Sequence, residues 1–410
     1  MNTEAQICPF FQPVLAVDTY SVWGYEVLGR KVTPQGVESL GGFFHDPAVP
    51  VEEKLEMDRL VRRKALKVFK QSGRNIRLFL NIQPQWLCPF MGQERKFPTL
   101  EYLEEFGISA DQIVVEISET EFCADIESLS RLVVRYREAG CRVAVDDVGR
   151  GFNNLERIIA IRPDFLKVDT LLVRKSMQEE SARYLLEALG YFAEKSGLSL
   201  ILEGIEDAEL LRLGLEIGAR YYQGFFLAPP APRLADTAGI AELMKREVEG
   251  YVRDEIQWRT RRWQQAEELD KLLKNLRFSG TTQNLDEYIG RLMHCLPGYC
   301  FRIYVCDGYG YQKTPNYTRN PCGGWTVSGE YLNRNWSWRP YFPRGITFAS
   351  RLGKGIASEP YLDLETRLKI WTFCYFLGDD LYLFIDSRVI DPTPKGGGVA
   401  GGNSRLASVF

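Results

Sequence analysis

RVAVDDVGRGFNNLERIIAIRPDFLKVD, residues 142–169, is the stretch on which the fold turns. Arg142 to Val145 is a short apolar run that ends on Asp146 and Asp147. An amphipathic segment follows through Ile158, Ile159 and Ile161, and a second apolar run, Phe165 to Val168, carries Lys167 and stops at Asp169. Strand, helix and strand in so short a span describe a βαβ unit, whose two strands are parallel because a crossover joins them. Outward from it the alternation repeats. Phe10 to Val17, Val22 to Leu28, Ile76 to Ile82, Ile113 to Ile117, Leu198 to Leu202 and Tyr221 to Leu227 read as strands, with helical periods at Val51 to Gln71, Asp125 to Ala139 and Gln178 to Ser196. Eight strands with intervening helices predict a TIM-like (β/α)₈ barrel, with a doubly wound open sheet as the alternative.

The polar residues favour the barrel. Nearly every strand ends in an acid, an amide or a lysine: Glu26, Asn81, Glu116, Asp146 with Asp147, Lys167 with Asp169, Glu203 and Gln223. Each alone reads best as a solvated strand end or a cap. In register they converge on the carboxyl-end face where barrels of this kind carry their active sites. Crowded carboxylates repel one another, so the cluster calls for a cation, and an all-oxygen donor set calls for a hard one, Mg²⁺ or Mn²⁺. Only two histidines, His45 and His294, are present, so the chemistry must run on carboxylates, amides and lysine.

The 410 residues predict two or three domains. A composition of 45% hydrophobic and 26% charged residues is that of a globular chain, and a net charge of −3 supplies no bulk attraction to a nucleic acid polymer or an anionic membrane. No run approaches the ~18 apolar residues of a membrane span, and the first residues carry no secretory pattern, so the expected location is cytoplasmic. Nine cysteines without a CxxC pair read as reduced thiols rather than a disulfide framework or a zinc site. From Asp236 to Phe278 a charged segment with a helical apolar period predicts one linking helix, weakest at Gly250. Its Arg259, Arg261 and Arg262 read as a solvated face, because Asp254, Glu255, Glu267 and Glu268 surround them. Beyond Gln283 a short helix and strands at Tyr299 to Cys306, Ile370 to Leu377 and Leu381 to Asp386 lack βα alternation and predict a small antiparallel α+β domain. The expected division is 1–235 for the barrel, 236–280 for the helix, 281–394 for the small domain and 395–410 for a disordered glycine-rich tail.

In order along the chain, Gln12-Pro13, Gly24-Tyr25-Glu26-Val27-Leu28-Gly29-Arg30, Asn81-Ile82-Gln83-Pro84, Glu116-Ile117-Ser118-Glu119-Thr120, Asp146-Asp147, Lys167-Val168-Asp169, Glu203-Gly204-Ile205-Glu206 and Gln223-Gly224-Phe225 resemble the motif set of the EAL-domain cyclic di-GMP phosphodiesterases. Val27 stands where the family-naming motif has alanine. The resemblance covers about residues 7 to 230 and implies hydrolysis of cyclic di-GMP to linear pGpG with two Mg²⁺ or Mn²⁺ ions. It implies one ion on Glu26, Asn81, Glu116 and Asp146, and a second on Asp147 and Asp169 with Asp146 bridging. It implies Glu203 as general base, Lys167 and Gln223 as its companions, Glu119 as the anchor of the loop after the paired aspartates, and Gln12, Leu28, Arg30 and Pro229 as substrate contacts. That loop departs from the family pattern at Val148 and Arg150, which leaves a binding-only cyclic di-GMP receptor as the alternative. The family pairs through the segment that follows, so a homodimer is expected through Ile158, Ile159 and Ile161, or else those residues pack the barrel. Residues 335–342 (NWSWRPYF), 358–363 and 383–386 resemble a PAS-like or Cache-like sensory module, which implies a small-molecule ligand held by Trp338, Arg339, Tyr341, Tyr361 and Asp386. The competing reading is that Arg339 and Asp386 form a fold-holding ion pair.

Overall fold

The computed structural model describes residues 7–83, 97–118, 126–150, 154–234, 238–278, 284–321 and 323–389. They form two compact units, Met1–Val252 and Arg253–Phe410. The expected glycine-rich tail lies outside the described residues.

In the first unit, β1 (Ile7–Ala16), β2 (Ser21–Thr33), β3 (Gly36–Ser39), β4 (Arg77–Ile82), β5 (Ile113–Ser118), β6 (Arg142–Val148), β7 (Phe165–Val168), β8 (Ser199–Leu202) and β9 (Tyr221–Tyr222) build one sheet. Its order is β1-β9-β8-β7-β6-β5-β4-β2-β3, and an additional β1–β2 pairing closes eight of the strands into a barrel. The sequence reading places its first helix only after the second strand, and no helix stands between β1 and β2. β1 turns directly into β2 and runs antiparallel to it and to β9. The physical reason is length, since the few residues between Ala16 and Ser21 can make a hairpin but not the crossover a parallel neighbour needs. From β2 through β4 to β9 the barrel neighbours are parallel, while β3 lies antiparallel on β2 at the sheet's edge. The first crossover is the helix Val51–Ser72, which buries Val61, Ala65, Leu66 and Phe69 at helical spacing and stops at Gly73 with φ 62°. The strand expected over Tyr221 to Leu227 is only Tyr221–Tyr222. At Gly224 a Cβ would stand 2.1 Å from the carbonyl oxygen of Ile205, so the chain leaves the sheet there by a close backbone approach.

The helix Ala238–Leu276 is continuous through Gly250. Met244 is buried in the core of the first unit, while Ala266, Leu269 and Leu273 are buried in that of the second. The second unit is antiparallel, as expected. Its β10 (Cys300–Asp307), β11 (Asn316–Arg319), β12 (Trp325–Ser328), β13 (Ile356–Ala357), β15 (Lys369–Gly378) and β16 (Leu381–Arg388) follow the order β12-β11-β10-β16-β15-β13, with β14 (Tyr361–Leu362) on β15. Side chains alternate across it: Ile303 and Val305 enter one core, Tyr304 and Cys306 the other, beneath the helix Tyr341–Leu352. The six described cysteines form no disulfide. No described helix is long and apolar enough to cross a membrane.

Candidate active site

Strand periodicity builds the site. A buried cluster of Val14, Ala16, Phe79, Val114, Ala144, Phe165, Ile201 and Tyr221, with Trp23 against it, draws on every strand of the barrel. Because side chains repeat by two along a strand, the next inward positions toward the carboxyl ends are Asn81, Glu116, Asp146, Lys167, Glu203 and Gln223. β1 runs the other way, so its contribution lies two residues back, at Gln12, which pairs across the sheet with Glu26. The apolar layer shuts one end of the barrel, and the polar layer stands above it.

At the centre is Lys167, fully buried. Its Nζ lies 2.7 Å from Glu116 Oε1, 2.7 Å from Glu203 Oε1, 3.2 Å from Asp146 Oδ1 and 3.5 Å from Glu26 Oε2. Burial works against the ammonium charge, yet Asp146, Glu116, Glu203 and Glu26 together hold its pKa well above the usual lysine value. One cation cannot balance them all. Burial, with the charges of Glu26 and Asp146, lifts the Glu116 carboxyl well above its ordinary range despite Lys167. Burial likewise raises Glu203 to about 8, again against the pull of Lys167. Amides fill the oxygens of Glu26: Asn81 Nδ2 donates to Oε1 at 3.2 Å and Gln223 Nε2 to Oε2 at 2.6 Å. Gln223 Nε2 also donates to Gln12 Oε1 at 3.2 Å, and Gln12 reaches the carbonyl of Ala228 at 3.4 Å.

The donor set fits a divalent metal. Oxygens of Glu26, Glu116 and Asp146 lie within 4.8 Å of one another, and Glu116 Oε2 is buried without a hydrogen-bond donor, Oε1 being taken by Lys167. Acids that face each other with acceptors left open are suited to a hard cation. Asp147 and Asp169 stand outside that tight group. Asp146 and Asp147 sit at a register irregularity between β6 and β7, and Asp147 takes φ 59°, which re-aims the second of two adjacent acids. Burial and the charge of Asp146 raise Asp147 to about 6, against Arg150, whose Nη1 lies 3.6 Å from Asp147 Oδ2. Gly149 follows with φ 101°, where a Cβ would meet Leu172 at 2.4 Å, so the turn after the aspartates requires glycine. Asp169 caps the helix Thr170–Ser176 by accepting from Leu171 N at 2.7 Å. Glu119 lies outside the described residues.

A cavity of about 310 Å³ opens beside these acids, lined among others by Leu28, Arg30, Asn81, Asp146, Asp147 and Arg150. Arg30 is held by the Gly29 carbonyl at 2.9 Å and by Ser39 Oγ at 3.3 Å, and burial lowers its pKa, with Glu26 working the other way. Gln12 and Pro229 do not line this cavity, and Pro229 is exposed. Arg62 escaped the sequence reading. It is buried, pairs with Asp58, and donates to Thr99 Oγ1 at 2.8 Å and to the Asn81 carbonyl at 3.2 Å, so it fixes the strand end that carries Asn81. Its helical spacing from Asp58 was the available signal. The apolar patch expected over Ile158, Ile159 and Ile161 reduces to Ile159, because Ile158 and Ile161 are buried in the barrel core and only Ile159 is exposed.

In the second unit, Arg339, Tyr341 and Tyr361 come together and Trp338 lies close by, while Asp386 reaches Tyr361 through the hydroxyl of Thr372. Asp386 is buried and pairs with Arg302 at 3.0 Å, so the expected Arg339–Asp386 partnership is not formed. The register explains it: Asp386 on β16 stands directly across from Arg302 on β10 and from Thr372 on β15. Arg262, read as solvated, is instead covered, with its side chain 13% exposed and bound to Glu359 at 2.8 Å.

Residues 2–230 match the family model described as the EAL domain, and residues 234–389 match the one described as an EAL-domain associated signalling protein domain. The chain is 34% identical over 386 residues, 93% of its length and 94% of the relative's, to the uncharacterized EAL-domain containing protein YkuI of Bacillus subtilis. It is 28% identical over 236 residues to the cyclic di-GMP phosphodiesterase RocR of Pseudomonas aeruginosa, spanning 54% of this chain and 57% of that one. The crystal structure of B. subtilis YkuI in complex with cyclic di-GMP and calcium superposes with a TM-score of 0.84 at 33% identity, covering 94% of this chain and 97% of that one.

Proposed function

The chain belongs to the EAL-domain family, and from that premise we propose that it hydrolyses cyclic di-GMP to linear pGpG. The observation that carries the reading is the buried Lys167 among four carboxylates, with Glu116 Oε2 left without a donor. A relative that spans nearly the whole chain binds cyclic di-GMP together with calcium, which supports the same ligand and a divalent cation for this site. Glu26, Asn81, Glu116 and Asp146 would hold one Mg²⁺ or Mn²⁺, and Asp147 and Asp169 with Asp146 a second. When bound, two such ions neutralise the phosphodiester and make a coordinated water acidic enough to attack.

The chain's own residues do the rest. Glu203, held by Lys167 at 2.7 Å, would take the proton of the attacking water in its ionised form as the new P–O bond forms and the bond to one 3′ oxygen breaks. Lys167 keeps Glu203 and Glu116 in place and offsets charge that grows on the phosphoryl oxygens. Gln223 fixes Glu26 and Gln12, and Arg30 offers its planar fork to the second phosphate of the ring. Incubating the full-length protein with cyclic di-GMP and Mn²⁺ and resolving the products by chromatography tests this; the expected product is pGpG.

One observation favours a second reading. Arg150 brings a positive charge to Asp147, where the second cation would bind. A chain that keeps the first cation and loses the second would be a cyclic di-GMP receptor, recognised by saturable binding with the nucleotide unchanged. In either case the C-terminal unit would regulate the barrel as a PAS-like or Cache-like ligand sensor, a reading supported by its antiparallel sheet with a cavity-bearing face. The homodimer retains the exposed Ile159 as its anchor, and light scattering is expected to give twice the mass of one chain.

A further inference from the structure

The segment Trp336 to Gly345 (WSWRPYFPRG) delivers two arginines to one place. Pro340 starts the helix Tyr341–Leu352, Arg339 precedes it, and Arg344 sits in its first turns. The Arg339 guanidinium lies 4.8 Å from the ring centre of Tyr361, 5.3 Å from that of Trp338 and 5.7 Å from that of Tyr341, while Tyr341 and Tyr361 stack at 5.1 Å. Arg344 lies over Phe348 at 5.9 Å. Neither arginine has an acidic partner among the described residues, in contrast to Arg302 with Asp363 and Asp386, or Arg262 with Glu359.

Both unpaired arginines line a cavity of about 470 Å³. Much of its remaining wall is apolar, including Ile356, Ala357, Pro360, Leu362 and Cys374. The acid in this lining, Glu359, is already bound to Arg262 through both oxygens at 2.9 and 2.8 Å. The tyrosine hydroxyls are also engaged, Tyr341 with Tyr304 at 3.1 Å and Tyr361 with Thr372 at 2.6 Å. What the cavity offers a ligand is therefore two guanidinium groups and an apolar interior.

We propose that this cavity binds a small organic carboxylate, its anionic group on Arg339 and Arg344 and its apolar body between Ile356, Leu362 and Cys374. A planar guanidinium backed by an aromatic ring is pre-organised for a carboxylate fork. An inorganic anion would leave the apolar wall without a partner, and a neutral apolar molecule would leave the two guanidinium groups without a counter-charge. The wall is tied to the long helix at two points, Arg262 to Glu359 and Gly355 N to Asp270 Oδ1 at 2.7 Å, so a ligand that draws on this wall acts on residues that pack the helix. The inference rests on the reading of the C-terminal unit as a regulator and names what it would sense.

Titration calorimetry on the full chain with benzoate and octanoate tests it, with benzamide and inorganic phosphate as controls. At least one carboxylate is expected to give saturable binding that benzamide does not. Arg339→Gln with Arg344→Gln should weaken it on the order of tenfold to a hundredfold, while Arg351→Gln, an exposed arginine on the same helix, should leave it unchanged. No saturable heat from either carboxylate, equal affinity in the double variant, equal binding of benzamide, or displacement of the carboxylate by phosphate at like concentration each overturns the proposal. Cyclic di-GMP affinity measured with and without the carboxylate separates the two layers. Arginine-dependent binding that leaves that affinity unmoved upholds the site and removes only the regulatory reading.

Discussion

Lys167 in the barrel and Arg302 in the C-terminal sheet stand in similar places. Each is a buried cation on a sheet, facing acids brought to it by neighbouring strands, and each is outnumbered by them. They differ in how far the acids are satisfied. Around Arg302, Asp363 accepts from Arg302 at 3.2 and 2.7 Å and from Thr366 N and Oγ1 at 3.0 and 2.8 Å. Asp386 accepts from Arg302 at 3.0 Å and Thr372 Oγ1 at 2.6 Å, so no oxygen of either acid is left over. Around Lys167 the second oxygen of Glu116, Oε2, has no donor, and a cavity opens onto Asp146. A finished network holds a fold together, whereas an unfinished one next to open space is prepared for something that is not protein.

The largest effect separates the two networks by chemistry. Glu203→Gln keeps the shape and the neighbours but cannot accept a proton, so turnover should fall about 10²- to 10⁴-fold with cyclic di-GMP binding retained. Steady-state assays beside equilibrium binding check it, and undiminished turnover would remove Glu203 from the mechanism.

Next come the cations themselves. Arg302→Met strands Asp386 and Asp363 in a buried place and should cost about 3–5 kcal/mol in urea unfolding, with no recovery on adding Mn²⁺. Lys167→Met leaves four acids facing one another, and here Mn²⁺ should restore most of the lost stability, because the donor set can take a cation. If Mn²⁺ rescues both variants equally, or neither, the distinction between a finished and an unfinished network fails.

A smaller effect tests the closed network by pH. Burial, with the charges of Asp363 and Glu365, raises Asp386 to about 6, while Arg302 and Thr372 pull the other way. A carboxyl whose folded pKa is above its unfolded value binds more protons in the folded state. Its contribution is therefore present below about pH 4 and is lost as the pH rises through about 6. Relative to Asp386→Asn, the parent chain should lose on the order of 3 kcal/mol across that window in a pH series of unfolding curves. Parallel curves would mean that Asp386 is ionised throughout.

How much of this was legible in the sequence follows from the same contrast. Glu26, Glu116, Asp146, Lys167 and Glu203 announce themselves because a polar residue at an inward strand position breaks an apolar period, and the period fixes where it points. The antiparallel β1 was not legible, since an apolar run has no direction and only the short connection before Ser21 carried the information. Arg302 was missed as the partner of Asp386 because their meeting depends on the register of β10 with β16, which joins residues more than eighty positions apart. The strand pattern says which face a residue takes, and the pairing says whom it meets.

The smallest expected effect lies where the open network touches its own chain. Arg150 meets Asp147 at 3.6 Å with its side chain 49% exposed, so water screens the pair and its worth is within about 1 kcal/mol. If that charge competes with a cation for Asp147, Arg150→Ala should tighten Mn²⁺ binding by up to about fivefold, since 1 kcal/mol corresponds to roughly that ratio. Asp147→Asn should move the other way, weakening Mn²⁺ binding and leaving a turnover defect that excess Mn²⁺ partly repairs. Manganese titrations followed by electron paramagnetic resonance read both without depending on activity. Opposite shifts in the two variants would mark Asp147 as a ligand held partly closed by its neighbour. Weakening in Asp147→Asn with no change in Arg150→Ala would make Arg150 a bystander, and no shift in either would confine the metal to Glu26, Glu116 and Asp146.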